Sequence, residues 1–107
     1  MWTYRAEIVR VVDGDTLDVD VDLGFGVKKR ERLRLGRVDA WETRGVEREA
    51  GLEATEFVER ALFPGKEVTI QTRKRGKYGR YIAEVSYDGK NLSDELVEHG
   101  HALPYGD

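Results

Sequence analysis

The chain has 107 residues, no cysteine and a net charge of −3. That length allows one small domain around a single core, and the missing cysteine excludes a disulfide framework and a thiolate metal site. No apolar run reaches the length needed to span a bilayer, and Met1–Glu7 lacks the apolar stretch of a secretory leader, so the chain as given reads as cytoplasmic, or as secreted if a leader has been removed.

Residues 2–12 read as a first strand. Tyr4, Ala6 and Ile8 share one parity, and Val9 and Val11 on the other predict burial on both faces near its end. Asp13-Gly14 is a turn signal. Residues 17–23 alternate Leu17, Val19, Val21 and Leu23 with Asp18, Asp20 and Asp22, a half-buried strand whose aspartates are expected to be solvated. After the turn Gly24-Phe25-Gly26, residues 27–38 form a long basic third strand. Leu33 and Leu35 share a face there, so Arg34 points to the other. Gly36 marks a bulge or a close backbone approach.

The loop 39–46 has neither helical nor strand period. Residues 47–63 form the long helix, with Ala50, Ala54, Phe57, Val58 and Ala61 as an apolar stripe and Pro64-Gly65 at its end. Strands over 66–73 and 81–87 follow, with a turn at 74–79 between them. A short helix beginning at Asn91 or Ser93 stops at Gly100, and the tail 101–107 is too short for another. A helix between the third and fourth of five strands is the order of an OB-type barrel, mainly β with helices packed on it.

Charge is unevenly distributed. Lys28, Lys29, Arg30, Arg32, Arg34 and Arg37 face Glu31 alone, and Arg73, Lys74, Arg75, Lys77 and Arg80 face no acid within their run. An acidic body with two basic patches can bind a polyanion locally; the competing expectation is two solvated basic turns.

Three further features belong to one chemistry. Asp15 and Asp39, short carboxylates from two turns, suit a hard cation such as Ca²⁺ or Mg²⁺. Arg34 and Arg80 can each grip two phosphate oxygens. Glu42, longer and three residues past Asp39, can reach a water. With no cysteine and only His99 and His101, zinc is disfavoured, and both histidines sit at the end of a helix, where surface roles are expected.

The combination resembles the staphylococcal nuclease (thermonuclease) family. The matching stretches are Val11-Val12-Asp13-Gly14-Asp15-Thr16, then Arg32 to Thr43, then Lys77-Tyr78-Gly79-Arg80, with Asn91-Leu92 to Gly100-His101-Ala102 similar to the family's second helix and following turn. The resemblance covers nearly the whole chain. It implies a single OB-fold domain over 1–107, without the third helix of better-known members. It also implies Ca²⁺-dependent cleavage of DNA and RNA on the 5′ side of phosphorus, leaving 3′-phosphates. By motif, Asp15, Asp39 and the carbonyl of Ala40 are metal ligands, Glu42 is the general base, and Arg34 and Arg80 bind phosphate. Tyr78 and Tyr105 match tyrosines that lie against the nucleotide, with Lys77 beside the first.

The chain departs from the family's usual threonine and proline at Ala40 and Trp41. An exposed Trp41 has two readings, stacking on a base or packing on the barrel. The alternative to an enzyme is a non-catalytic module of the same fold that binds nucleic acid or protein. The filled charged positions favour the enzyme. No membrane partner is implied, and the oligomeric state is left open.

Overall fold

The computed structural model describes residues 2–75 and 80–106, with the backbone alone for Lys74 and Arg75. In chain order the elements are β1 (Trp2–Asp13), β2 (Thr16–Asp22), β3 (Lys28–Leu35), β4 (Val38–Ala40), a 3₁₀ turn (Gly45–Glu47) and α1 (Arg48–Ala61). These are followed by β5 (Glu67–Arg75), β6 (Tyr81–Tyr87), β7 (Lys90–Asn91), α2 (Leu92–Glu98) and β8 (Ala102–Pro104).

β1, β2 and β3 form an antiparallel meander, β5 pairs with the other edge of β1, and β6 pairs with β5. Parallel pairing of Leu33–Leu35 on β3 with Tyr81–Ala83 on β6 closes the ring. The result is the five-stranded OB-type barrel expected from the element order, an α+β fold with two helices packed on it. The alternation in β2 does its work as read: Leu17, Val19 and Val21 enter the core. Ala6 and Ile8 from β1, Leu33 and Leu35 from β3, Val68 and Ile70 from β5, and Ala83 and Val85 from β6 complete the interior. Helix α1 adds Val58 to this cluster, and α2 adds Leu92 and Leu96. Asn91 caps α2 by accepting the Asp94 N–H at 3.0 Å. Among the described residues no helix is long and apolar enough to cross a membrane.

Two elements differ from the sequence pattern. The strand read over 27–38 is divided at Gly36-Arg37, because Arg37 takes a left-handed backbone (φ 66°). Gly36 is there for close approach: a Cβ on it would meet the Arg73 guanidinium, the Glu84 carboxylate and the Ile82 methyl. Its carbonyl accepts the buried Ser93 hydroxyl at 2.9 Å. The pattern hides this break because Leu35 and Val38 are both buried on either side of it. Conversely, the loop read from residue 39 begins as strand, and the tail supplies its partner. β4 pairs antiparallel with β8 through Val38–Pro104, Asp39–Leu103 and Ala40–Ala102. Three residues are too few to show a period.

The basic run on β3 is matched across the sheet. Arg30 bonds Asp20 at 2.6 Å and Arg32 bonds Asp18 at 2.7 Å; Lys28 reaches Glu7, and Lys29 pairs with Glu31. Arg37 lies between Glu84 and Asp94. The guanidinium groups hold Asp18 and Asp20 below the usual carboxylate range. Two of the aspartates read as a solvated face are therefore cross-strand partners, and most of this cationic patch is neutralised where it lies.

Two glycines bring α1 against the loops. Gly14 is buried, and a Cβ on it would lie 2.9 Å from the Ala40 methyl and 3.1 Å from that of Ala54. A Cβ on Gly51 would overlap the backbone carbonyl of Glu42. Helix propensity favours alanine over glycine by about 1 kcal/mol, but this overlap is with backbone. Gly51→Ala is therefore expected to destabilise the fold by about 1–3 kcal/mol, seen as a lower urea midpoint at unchanged slope. A variant as stable as the parent would refute the tight contact.

Candidate active site

The turn after β1, the end of β3, the loop after β4 and the start of β6 meet at one cleft of about 280 Å³. Asp13, Asp15, Arg34, Asp39, Ala40, Trp41, Glu42, Thr43 and Arg80 line it. All five charged positions singled out in the sequence are thus together, with Ala40 among them. Lys77 and Tyr78 lie outside the described residues. Tyr105 is exposed, donates its backbone N–H to Arg37 O at 2.8 Å, and is not part of the lining.

Arg34 organises the cleft. Its position opposite Leu33 and Leu35 turns it out of the core, and two carbonyls then fix its plane: Nη1 donates to Leu35 O at 2.8 Å and to Val38 O at 2.9 Å. The left-handed turn at Arg37 is what brings the second carbonyl back. The other nitrogen, Nη2, lies 3.5 Å from Asp15 Oδ2 and 3.6 Å from Asp39 Oδ1. The two carboxylates therefore face each other across a single guanidinium nitrogen.

Asp15 is the more deeply set, with its side chain 13% exposed against 54% for Asp39. Its Oδ2 accepts the Ala40 N–H at 3.1 Å, tying the two acid-bearing segments together. Burial and a hydrogen bond with the neighbouring Asp13 carboxyl push Asp15 up to about 6, against the pull of Arg34. Asp13 also accepts the Asp15 N–H at 3.1 Å. Asp13 was not singled out from the sequence as a site residue, although the two acids straddle one glycine and alternate residues share a side of a strand. A hydrogen-bonded line continues from Asp15: the buried Thr16 hydroxyl donates to Oδ1 at 3.1 Å, and Arg80 Nη1 reaches Thr16 Oγ1 at 3.4 Å.

Glu42 is exposed at the cleft wall, and its N–H donates to Glu47 Oε1 at 3.0 Å. Trp41 lines the cleft and is half-buried. Its indole N–H donates to Gly100 O at 2.9 Å, outside the cleft. The histidines are elsewhere: both rings lie about 5 Å from Phe57 on α1. Glu95, Glu98 and His99 form a cluster within 4.8 Å, but none of them lines this cleft. A second cleft, lined by Trp2, Tyr4, Leu33 and Tyr81 among others, carries no comparable grouping of acids and guanidinium groups.

Comparison with known proteins points the same way. The family described as staphylococcal nuclease homologue matches residues 32–106. An uncharacterized endonuclease of Escherichia coli is 34% identical over 102 residues, covering 94% of this chain and 61% of the relative. The thermonuclease of Staphylococcus hyicus is 32% identical over 104 residues, with 94% and 57% covered. The micrococcal nuclease of Shigella flexneri is 30% identical over 111 residues, with 95% and 59% covered. The chain thus spans about three fifths of the length of the relatives it matches.

The raised carboxyl has a stability consequence. Folded Asp15 keeps its proton to about pH 6, whereas the unfolded value is 3.8. Its contribution to stability is therefore full below 3.8 and is lost as pH rises through about 6. Asp15→Asn keeps the acceptor for Ala40 and cannot ionise. It is expected to exceed the parent by about 1–3 kcal/mol near neutral pH in chelator. Denaturant titrations should show that advantage shrinking below about pH 4; an equal gap at both pH values would refute the raised carboxyl.

Proposed function

The chain belongs to the staphylococcal nuclease homologue family, and from that premise we propose that residues 1–107 act as one domain that hydrolyses phosphodiesters of DNA or RNA with a divalent metal ion. The observation that carries this reading is the meeting of Asp15, Asp39 and Arg34 around one guanidinium nitrogen, in a cleft that also holds Glu42 and Arg80.

The residues fit a hard cation. The donors are oxygens, and they come from the turn after β1 and from β4, with Asp15 largely buried beside Asp13. Asp15, Asp39 and the Ala40 carbonyl are the proposed ligands, for Ca²⁺ or Mg²⁺. A bound divalent ion would supply a Lewis acid for a non-bridging phosphate oxygen and help neutralise the charge that repels hydroxide.

The protein's own groups do the rest. Arg34, its plane fixed by two carbonyls, presents donors to the phosphate without reorganisation. Arg80 approaches from the start of β6 and contributes a second guanidinium to the charge of the five-coordinate transition state. Glu42, exposed and on the longest of the acidic arms, orients a water and accepts its proton as the new P–O bond forms. Breaking the bond to the 5′-oxygen leaves a 3′-phosphate. Tyr105, and Lys77 with Tyr78, are assigned to the flanking nucleotides.

Glu42→Gln should lower turnover by roughly 10²–10⁴ with little change in affinity for a nucleotide. Arg34→Ala and Arg80→Ala should each lower the cleavage rate. The assay is digestion of single-stranded DNA and RNA with Ca²⁺, with Mg²⁺ and with EDTA, followed by end-group analysis. Retained turnover in Glu42→Gln would remove that residue from the mechanism, and chelator-insensitive binding without cleavage would make the chain a binding module. Binding should weaken as salt rises, because phosphate contacts release counterions.

A further inference from the structure

We propose that Trp41 is a positioning residue, whose indole N–H strut to the turn after α2 sets the orientation of Ala40 and Glu42. This rests on the nuclease reading of the cleft. Trp41 stands between the carbonyl assigned to the metal and the carboxylate assigned to the water, so the peptide torsions that flank it swing both groups at once.

Trp41's own side chain adds a restraint to those its neighbours already carry, the Ala40 N–H bond to Asp15 Oδ2 at 3.1 Å and the Glu42 N–H bond to Glu47 Oε1 at 3.0 Å. Strand pairing ends at Ala40, which lies opposite Ala102. Beyond it the backbone N–H of Trp41 makes only a long bond, 3.4 Å, to His101 O. The indole N–H makes a full one, 2.9 Å, to Gly100 O. Gly100 closes the end of α2: it adopts φ 75°, and its own N–H bonds Val97 O at 3.1 Å. On the opposite side, Gly51 of α1 presses against the Glu42 carbonyl. The segment is therefore gripped between two helices, through a side chain on one side and a missing side chain on the other.

A proline at this position would restrain the same backbone locally. A proline ring restricts its own φ and disfavours helical backbone in the residue before it. Trp41 has neither property, and the indole bond supplies a tertiary restraint in place of the local one. Its energetic worth is that of one ordinary hydrogen bond, enough to shift a population of loop conformers severalfold.

The test compares Trp41→Phe, which keeps a ring and loses the N–H, with Trp41→Ala and Trp41→Pro. The extended backbone of Ala40 in β4 is compatible with a following proline, which costs the long N–H bond to His101 O. The expected result for Trp41→Phe is a kcat about three- to tenfold lower, with KM nearly unchanged and the thermal midpoint lower by about 2–8 °C. Amide exchange should quicken at Glu42 and Thr43 but not in the barrel. Trp41→Pro should recover rate relative to Trp41→Ala, because a local restraint replaces the strut. Unchanged kcat in Trp41→Phe would overturn the proposal. So would a parallel fall of stability, kcat and KM that proline does not rescue, since that is the signature of packing alone. If the parent cleaves nothing, the nuclease reading falls by itself; exchange at Glu42 still decides the strut, and unchanged protection would overturn it.

Discussion

The structure depends on a close approach of three backbones. The Asp13–Asp15 turn, the segment from Asp39 to Glu42 and helix α1 meet where Gly14 faces Ala40 and Ala54, and where Gly51 faces the Glu42 carbonyl. Side chains at either glycine would hold these segments apart. Close packing tolerates little added volume at such a point. Because the segments touch, an acid at the end of β1, another in β4 and a third past it can address one small volume. The barrel supplies Arg34 and Arg80 to the same volume from β3 and β6.

That convergence opposes stability. Burying Asp15 beside Asp13 raises its carboxyl to about 6, and Arg34 only partly relieves it. Elsewhere on the chain acids and bases are paired in the ordinary way, as in the Asp18–Arg32 and Asp20–Arg30 ladder on the exposed face of β2 and β3. Such exposed pairs contribute little individually. Their consequence is a reduced excess of positive charge on that face. The contrast between matched charges on the sheet and strained charges in the cleft is the distribution expected of a site for a cation and an anion together.

Much of this was legible in the residues. The alternation of Leu17, Val19 and Val21 with Asp18, Asp20 and Asp22 is a period that only a half-buried strand satisfies, and the α1 stripe is equally direct. Arg34 could be aimed out of the core because its neighbours Leu33 and Leu35 are both core residues. What escaped was non-local or short. β4 and β8 are three residues each, and strands of that length are defined by their partner rather than by a pattern. The break at Gly36-Arg37 is set by a contact with Arg73, Glu84 and Ile82 from distant strands, so no local signal separates it from a bulge. The pairing of β3 cations with β2 acids was latent in the two charge patterns, but it requires the register Asp18–Arg32 and Asp20–Arg30. Asp13 was readable in principle, since an Asp-Gly-Asp turn places both acids near one another, yet the burial that raises Asp15 beside it is not visible in the local pattern.

The composition of the cleft bears on what it can recognise. Its described lining consists of carboxylates, guanidinium groups, a threonine, Ala40 and Trp41, whose indole N–H is bonded to Gly100 O. Such a lining addresses a charged ester and the ion paired with it, groups common to every nucleotide. Hydrogen bonds to base edges carry sequence information, and contacts to phosphate do not. Discrimination between DNA and RNA requires a group placed to sense the 2′-hydroxyl. On the proposed nuclease reading, the described acids and guanidinium groups address the phosphodiester rather than a base.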